Sequence, residues 1–141
     1  MNEVNTPGKH RSSTRVLTGF LALLFLAAGA AKVAHLSMMV ENYARWGYPD
    51  VMLYIVGGAE LLGALMLLLP RAASYGSGLL GLVMVGAVAT HLMANELPMV
   101  VVPAVLFLAL TLTGWVWRCE AFDTMWKVVP WMQPPTCEEG V

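Results

Sequence analysis

The stretch VGGAELLGALMLLLP, residues 56–70, holds a single carboxylate, Glu60, inside an apolar run that begins at Val51 and ends at Leu69. A run of that length matches the ~20 residues a helix needs to cross the hydrocarbon core of a bilayer. A glutamate at such a depth is costly and is seldom kept for packing alone. Three further stretches qualify as spans. Val16–Val33 is uncharged until Lys32, Ala72–Met93 carries His91, and Met99–Trp117 contains no charged side chain.

Composition agrees with a membrane origin for these runs. Hydrophobic residues make up 58% of the 141-residue chain, charged residues 12%, and the mean hydropathy is +0.68. Soluble proteins carry about 25% charged residues, and a globule with half that share could not cover its surface. Strand alternation is absent, and an open sheet would leave backbone groups unpaired in lipid. The fold class is therefore all-α, a polytopic membrane four-helix bundle. Residues 1–14 read as a flexible tail, residues 15–117 as the four-span domain (spans 16–33, 51–69, 72–93 and 99–117), and residues 118–141 as a second tail. The basic start with Lys9, Arg11 and Arg15, followed by small residues at Ala28–Ala31, also fits a cleavable signal peptide. The first span is expected to be retained.

Orientation follows from the basic residues. Lys9, Arg11, Arg15, Arg71, Arg118 and Lys127 fall on one side of the four spans, and Lys32 and Arg45 on the other. The positive-inside rule then places both termini in the cytoplasm of a cell whose inner, plasma membrane holds the protein as a multi-pass chain. Cys119 and Cys137 lie in the cytoplasmic tail, where reducing conditions disfavour a disulfide, and without nearby histidines they read as free thiols. A net charge of −1 with dispersed basic residues excludes a nucleic-acid track. The expected partners are the lipid bilayer and either a larger membrane complex or further copies of the chain.

The connections add detail. In HLSMMVENYARWGYPD, residues 35–50, Tyr43, Trp46 and Tyr48 favour the headgroup layer, as tryptophans generally do. Gly47 permits a turn, Pro49 stops a preceding helix, and Asp50 is placed to cap the second span. NELP at 95–98 predicts a tight turn, with Pro98 tolerated at the start of the last helix and Pro103 deeper inside it. After Trp117, the residues Phe122, Met125, Trp126 and Val129 recur at helical spacing, which predicts a short interfacial helix before Pro130. The end, QPPTCEEGV, reads as disordered.

Helix rise estimates how deep the ionisable groups sit. Glu60 lies on the order of 13 Å below the surface at which its span begins, while Lys32 and His91 lie roughly 3 to 5 Å below that same surface. Gly57 and Gly63 stand one turn to either side of Glu60, and Ala28 and Gly29 one turn before Lys32. Ser77, Leu80, Met84, Ala87 and His91 share one face of the third span. Such small residues let helices approach closely, so Glu60 is expected to face the bundle interior, within reach of Lys32 or His91. Each of the three has a plainer role as well. Lys32 could snorkel outward, His91 could cap its helix end, and Glu60 could be half of a structural ion pair.

The chemistry open to this set is narrow. One Glu, one Lys and one His can move protons or bind the carbonyl and hydroxyl groups of a quinone-like ligand, and they are too few for a metal site. No haem-attachment motif, P-loop or dinucleotide fingerprint is present, so no covalently bound cofactor is expected, and a quinone is the candidate ligand. The glycines of GSGLLGLVMVG lie within a span and read as packing residues.

AGAAKV (28–33), WGYP (46–49), GGAELLGALMLLLPR (57–71) and GAVATHL (86–92) together resemble the DoxX-like family of small four-span membrane proteins. The resemblance covers residues 27–92 and implies a four-helix membrane bundle. Members have been linked to quinol oxidase or thiosulfate:quinone oxidoreductase subunits and to complexes handling oxidative or thiol stress. It carries over no catalytic residue, so Lys32, Glu60 and His91 stand as ligand or proton-binding candidates by position alone. Three readings follow: a redox-linked or quinone-interacting subunit, a proton-coupled carrier of a small solute, and a structural accessory subunit of a larger complex.

Overall fold

The computed structural model describes residues 8–126, with side chains from Thr14 to Arg118. The expected disordered end and Cys137 lie outside the described residues. So do the side chains of Cys119, Phe122, Met125 and Trp126. Five helices follow in order: α1 (Gly8–Val33), α2 (Ser37–Arg45), α3 (Val51–Leu68), α4 (Ala73–Met93) and α5 (Leu97–Trp126). Among the described residues there is no strand. Four helices, α1, α3, α4 and α5, contain stretches long and apolar enough to cross a membrane: Thr14–Val33, Val51–Leu68, Ala73–Met93 and Leu97–Arg118.

The structure shifts three boundaries. α1 begins at Gly8, inside the stretch read as a tail, because nothing between Pro7 and the first span breaks a helix once it has nucleated. The segment after Trp117 continues α5 to Trp126 as one helix, Pro103 included. The link between the first two spans contains α2, a helix of nine residues that the reading of this link as a connection does not include.

Three turns at one end of the bundle share a design. After α1, α2 and α4, residues His35 (φ 51°), Gly47 (φ 78°) and Asn95 (φ 57°) adopt the left-handed conformation. The next amide in each case donates back to the helix: Leu36 to the Ala31 carbonyl, Tyr48 to Tyr43 and Glu96 to His91, at 3.1, 2.9 and 2.9 Å. These are Schellman caps, which satisfy the last carbonyls of a helix while reversing the chain. Asp50 does not cap α3 through its side chain. Its backbone is already helical (φ −55°, ψ −29°), which removes the geometry that a capping carboxylate needs.

Around the ring the helices stand in the order α1, α3, α4, α5, each packed on its sequence neighbour, and the α1–α5 contact is much the slightest. Glycines set the two closest approaches. A Cβ on Gly29 would lie 2.8 Å from the Gly57 carbonyl oxygen, and one on Gly76 2.7 Å from the Gly63 carbonyl oxygen. So α1 meets α3, and α3 meets α4, nearly backbone to backbone. Leu21, Ala22, Phe25, Ala64, Leu67, Leu80, Met84 and Leu110 form the buried core. It fills the half of the bundle where α1 begins and α5 ends, termed the base; the half capped by α2 is the head.

Candidate functional site

The head encloses a cavity of about 860 Å³ to which all five helices contribute. Its size falls within the ~300–1,000 Å³ of ligand pockets. Glu60 enters it from α3, only 3% exposed, and Lys32 enters from the last turn of α1. The Lys32 Nζ donates to both carboxylate oxygens, at 2.7 and 3.0 Å. The glycine crossing explains the reach: the Lys32 stem lies 2.9 Å from where a Gly57 Cβ would sit. The lysine is therefore directed inward and does not snorkel to the headgroups. The pair is neutral as a unit, yet an ammonium has a third N–H and a carboxylate further lone pairs.

His91 does not join them. It lines the cavity from α4, but its Nδ1 hydrogen-bonds Glu96 at 2.9 Å in the α4–α5 turn. The other Glu96 oxygen accepts from Arg45 at 3.0 Å, and Arg45 also donates to the Asn42 side-chain oxygen at 3.0 Å. Trp46 stands edge-on to His91 with ring centroids 5.1 Å apart. Its indole nitrogen is enclosed near the same carboxylate but outside hydrogen-bond geometry. The hydrogen bond from His91, aided by the Arg45 charge and opposed by partial burial, holds the Glu96 carboxyl below the ordinary glutamate range. This cluster straps the end of α2 to the α4–α5 turn, and the Tyr48–Thr90 hydroxyl contact at 2.9 Å adds a second tie.

Sequence reasoning missed Tyr43. Placed in the headgroup layer by composition, it is in fact buried at 8% exposure and lines the cavity beside Trp46 and Tyr48. Burial, followed by the charge of Glu60, raises its phenol to about 12. The hydroxyl is thus a protonated donor throughout the physiological range. The signal was present: Met39, Tyr43 and Trp46 recur at four and three residues, one face of a helix. Trp117 was likewise misplaced as an interface anchor. It is buried, and its Nε1 donates to Thr18 Oγ1 at 3.0 Å, joining α5 to α1 at the base. Trp115 does face outward, with the Arg118 guanidinium 3.9 Å above its ring.

Toward the base the cavity wall becomes apolar, with Leu24, Phe25, Val83 and Leu106. Among the described residues no group of three His, Cys, Asp or Glu side chains could hold a metal. The sequence pattern of the DoxX-like family matches residues 16–114, from the start of the first span through most of the last. The chain belongs to the DoxX-like family. No curated protein and no solved structure matches it. In this DoxX-like chain the matched region contains every residue of the Lys32–Glu60 pair and the Glu96 cluster.

Proposed function

We propose that the head cavity binds a membrane-soluble quinone and that the protein serves as a quinone-interacting, redox-linked subunit of the plasma membrane, with both termini in the cytoplasm. One observation carries this reading: a cavity at spanning depth has a hydrogen-bonding end and an apolar end. At the polar end Tyr43 supplies a hydroxyl donor, and the Lys32–Glu60 pair supplies further donors and acceptors without net charge. A ligand with carbonyl or hydroxyl groups on a ring and a hydrocarbon tail has the matching polarity. The orientation is supported by the excess of basic residues at the base.

A second reading has its own support. The Lys32–Glu60 pair is complete without any ligand, as a purely structural tie between α1 and α3 would be. Gentle purification of the wild type, Tyr43→Phe, Glu60→Gln and Glu60→Leu, followed by mass spectrometry of bound lipids, quinones and proteins, separates the two. A quinone that accompanies the wild type and falls away in Tyr43→Phe and Glu60→Leu, with folded yield retained, supports the proposal. Wild-type protein that carries a stable partner and no ligand supports the accessory role. Solute flux driven by a pH gradient in proteoliposomes would instead favour a proton-coupled carrier.

A further inference from the structure

Three seams of the four-helix ring are sealed. Gly29 and Gly57 close α1 against α3, and Gly63 and Gly76 close α3 against α4. The long α4–α5 contact closes the third, with Ser77 packed on Gly114 and Phe107 on Gly81. The fourth seam, between α5 and α1, is tied at the base by Trp117 and Thr18. Higher up, Leu24 and Ala28 of α1 and Met99, Val102 and Leu106 of α5 all line the cavity. Met99 and Val102 do so while 56% and 61% exposed. A residue that lines a cavity and faces outward marks the cavity's rim.

The roof is tighter. Asn42, Tyr43 and Trp46 lie across the head, and the side chains of Lys32, His91 and Glu96 keep only 12%, 17% and 22% of their exposure. The exposed Arg45 marks the rim at the roof, but the α1–α5 stretch of the rim has no charged residue: α1 has none from Val16 to Ala31, and α5 none from Leu97 to Trp117. A charge-free rim at spanning depth opens onto lipid chains, not water.

We infer that the α1–α5 gap is a lateral window, and that the ligand of this cavity is an uncharged, chain-bearing amphiphile that enters from the bilayer. Its head meets Tyr43 and the Lys32–Glu60 pair, and its chain lies between Leu24 and Ala28 on one side and Val102 and Leu106 on the other. The paired charges explain why the head is uncharged, since a charged head would have to break the pair or remain uncompensated. A water-soluble solute is disfavoured at this window because the window lies in hydrocarbon. The window deepens the quinone proposal but rests on it only for the identity of the head.

Photolabelling of the full chain in nanodiscs tests this independently of quinone. The probe is a long-chain alcohol with a diazirine in the chain, compared with a short-chain analogue. Expected labels are Ala28, Leu106 and Tyr43, inside the window, in addition to the outward-facing Phe20, Leu108 and Leu112 that any lipid touches. At a fixed aqueous probe concentration, labelling of both sets should fall roughly tenfold for every two methylenes removed, because the probe first partitions from water into the bilayer. Labelling of the interior set should be lost in Ala28→Phe and Val102→Phe with the exterior set unchanged. Labels confined to the exterior set would overturn the window. So would interior labelling that the short, soluble analogue reproduces equally, or that rises in Glu96→Gln and ignores Ala28→Phe, because the route would then run through the roof. Competition by a decyl-substituted benzoquinone reads the other proposal: interior labelling that this compound fails to displace keeps the window and removes the quinone.

Discussion

The base and the head of this bundle solve opposite problems with the same helices. In the base, Leu21, Ala22, Leu67, Leu80 and Leu110 are at most 2% exposed, and two buried hydroxyls are satisfied at once: Thr18 and Thr113 donate to carbonyls one turn back, at 2.7 and 2.8 Å, while the buried Ser77 hydroxyl has no partner among the described residues. In the head, the same ring holds a cavity, a buried ion pair and a carboxylate shared by Arg45 and His91. Lipid tails are as apolar as leucine, so the base gains little from burial itself and depends on close fit. Fit stabilises one end, and polar ties hold the other open.

The variant expected to break this contrast most is Lys32→Met. It leaves Glu60, which is short and nearly inaccessible, without a partner. Stripping one member from a buried pair costs ~3–5 kcal/mol. Glu60→Gln is the milder half of the experiment, at ~1–3 kcal/mol for an imperfectly satisfied group, because a freed lysine stem can turn out to the headgroups. Thermal unfolding in nanodiscs should rank Lys32→Met below Glu60→Gln. The double variant Lys32→Met with Glu60→Leu should recover most of the loss, and an equal loss for both single variants would deny the asymmetry.

Next in size is a test of fit at the base. Gly76→Val drives a Cβ to 2.7 Å from the Gly63 carbonyl oxygen and 2.8 Å from the Met66 Cβ, and backbone cannot yield as a side chain can. The cost is ~3 kcal/mol, seen as a lower midpoint and folded yield. Gly78→Val, two residues on, meets nothing within 4 Å and should unfold close to the wild-type temperature.

The span count was legible because hydropathy is a local property, and so was the inward face of Glu60, which has Gly57 and Gly63 one turn to either side. That Lys32 and Glu60 meet was foreseeable from their glycines. Which helix each glycine touches was not: Gly57 receives α1 and Gly63 receives α4, and a sequence does not state ring order. His91 keeps the plainer of its two expected roles, at its helix end, since Glu96 lies only five residues on and the Schellman turn at Asn95 folds it back onto the ring. Tyr43 and Trp117 were read by composition as interface residues, and tertiary contacts overrode that preference.

Smaller effects sharpen the picture of the head. Glu96→Gln should leave overall stability nearly unchanged while speeding amide exchange over residues 37–48, because Arg45 and His91 each use one carboxylate oxygen and the uncharged amide keeps only one acceptor. The same strap has a pH sign. The Glu96 carboxyl is held below its ordinary range, so its contribution is fully present above the unfolded value and is lost as pH falls through the lower, folded one. Exchange in α2 should therefore stay slow through neutral pH and quicken only in strong acid. Unchanged exchange in Glu96→Gln would show that the Tyr48–Thr90 contact alone holds the roof. For Tyr43 the sign is reversed. Its phenol is raised to about 12, so stability is flat below its ordinary value and declines as pH climbs through that range, which phenolate absorbance of wild type against Tyr43→Phe would follow.

The least expected change is at Asn95, whose left-handed backbone suits Asn or Gly. Asn95→Ala should cost ~1 kcal/mol, with Asn95→Gly within a few tenths of wild type. A larger loss in Asn95→Gly would mean that the side chain, and not the backbone, shapes the turn.

The hydrogen bond between Trp117 and Thr18 joins positions 99 residues apart, close to the two ends of the matched region. Every other pairing in the ring is between helices that follow one another among the spans, and can form as soon as the second of the two has entered the bilayer. The α1–α5 seam alone has to wait for the whole chain. During synthesis the bundle is therefore an open sheet of helices until its last span arrives. A chain halted after α4 would have Leu21, Phe25 and Leu80 against lipid in place of α5, and Thr18 would lack the Trp117 indole.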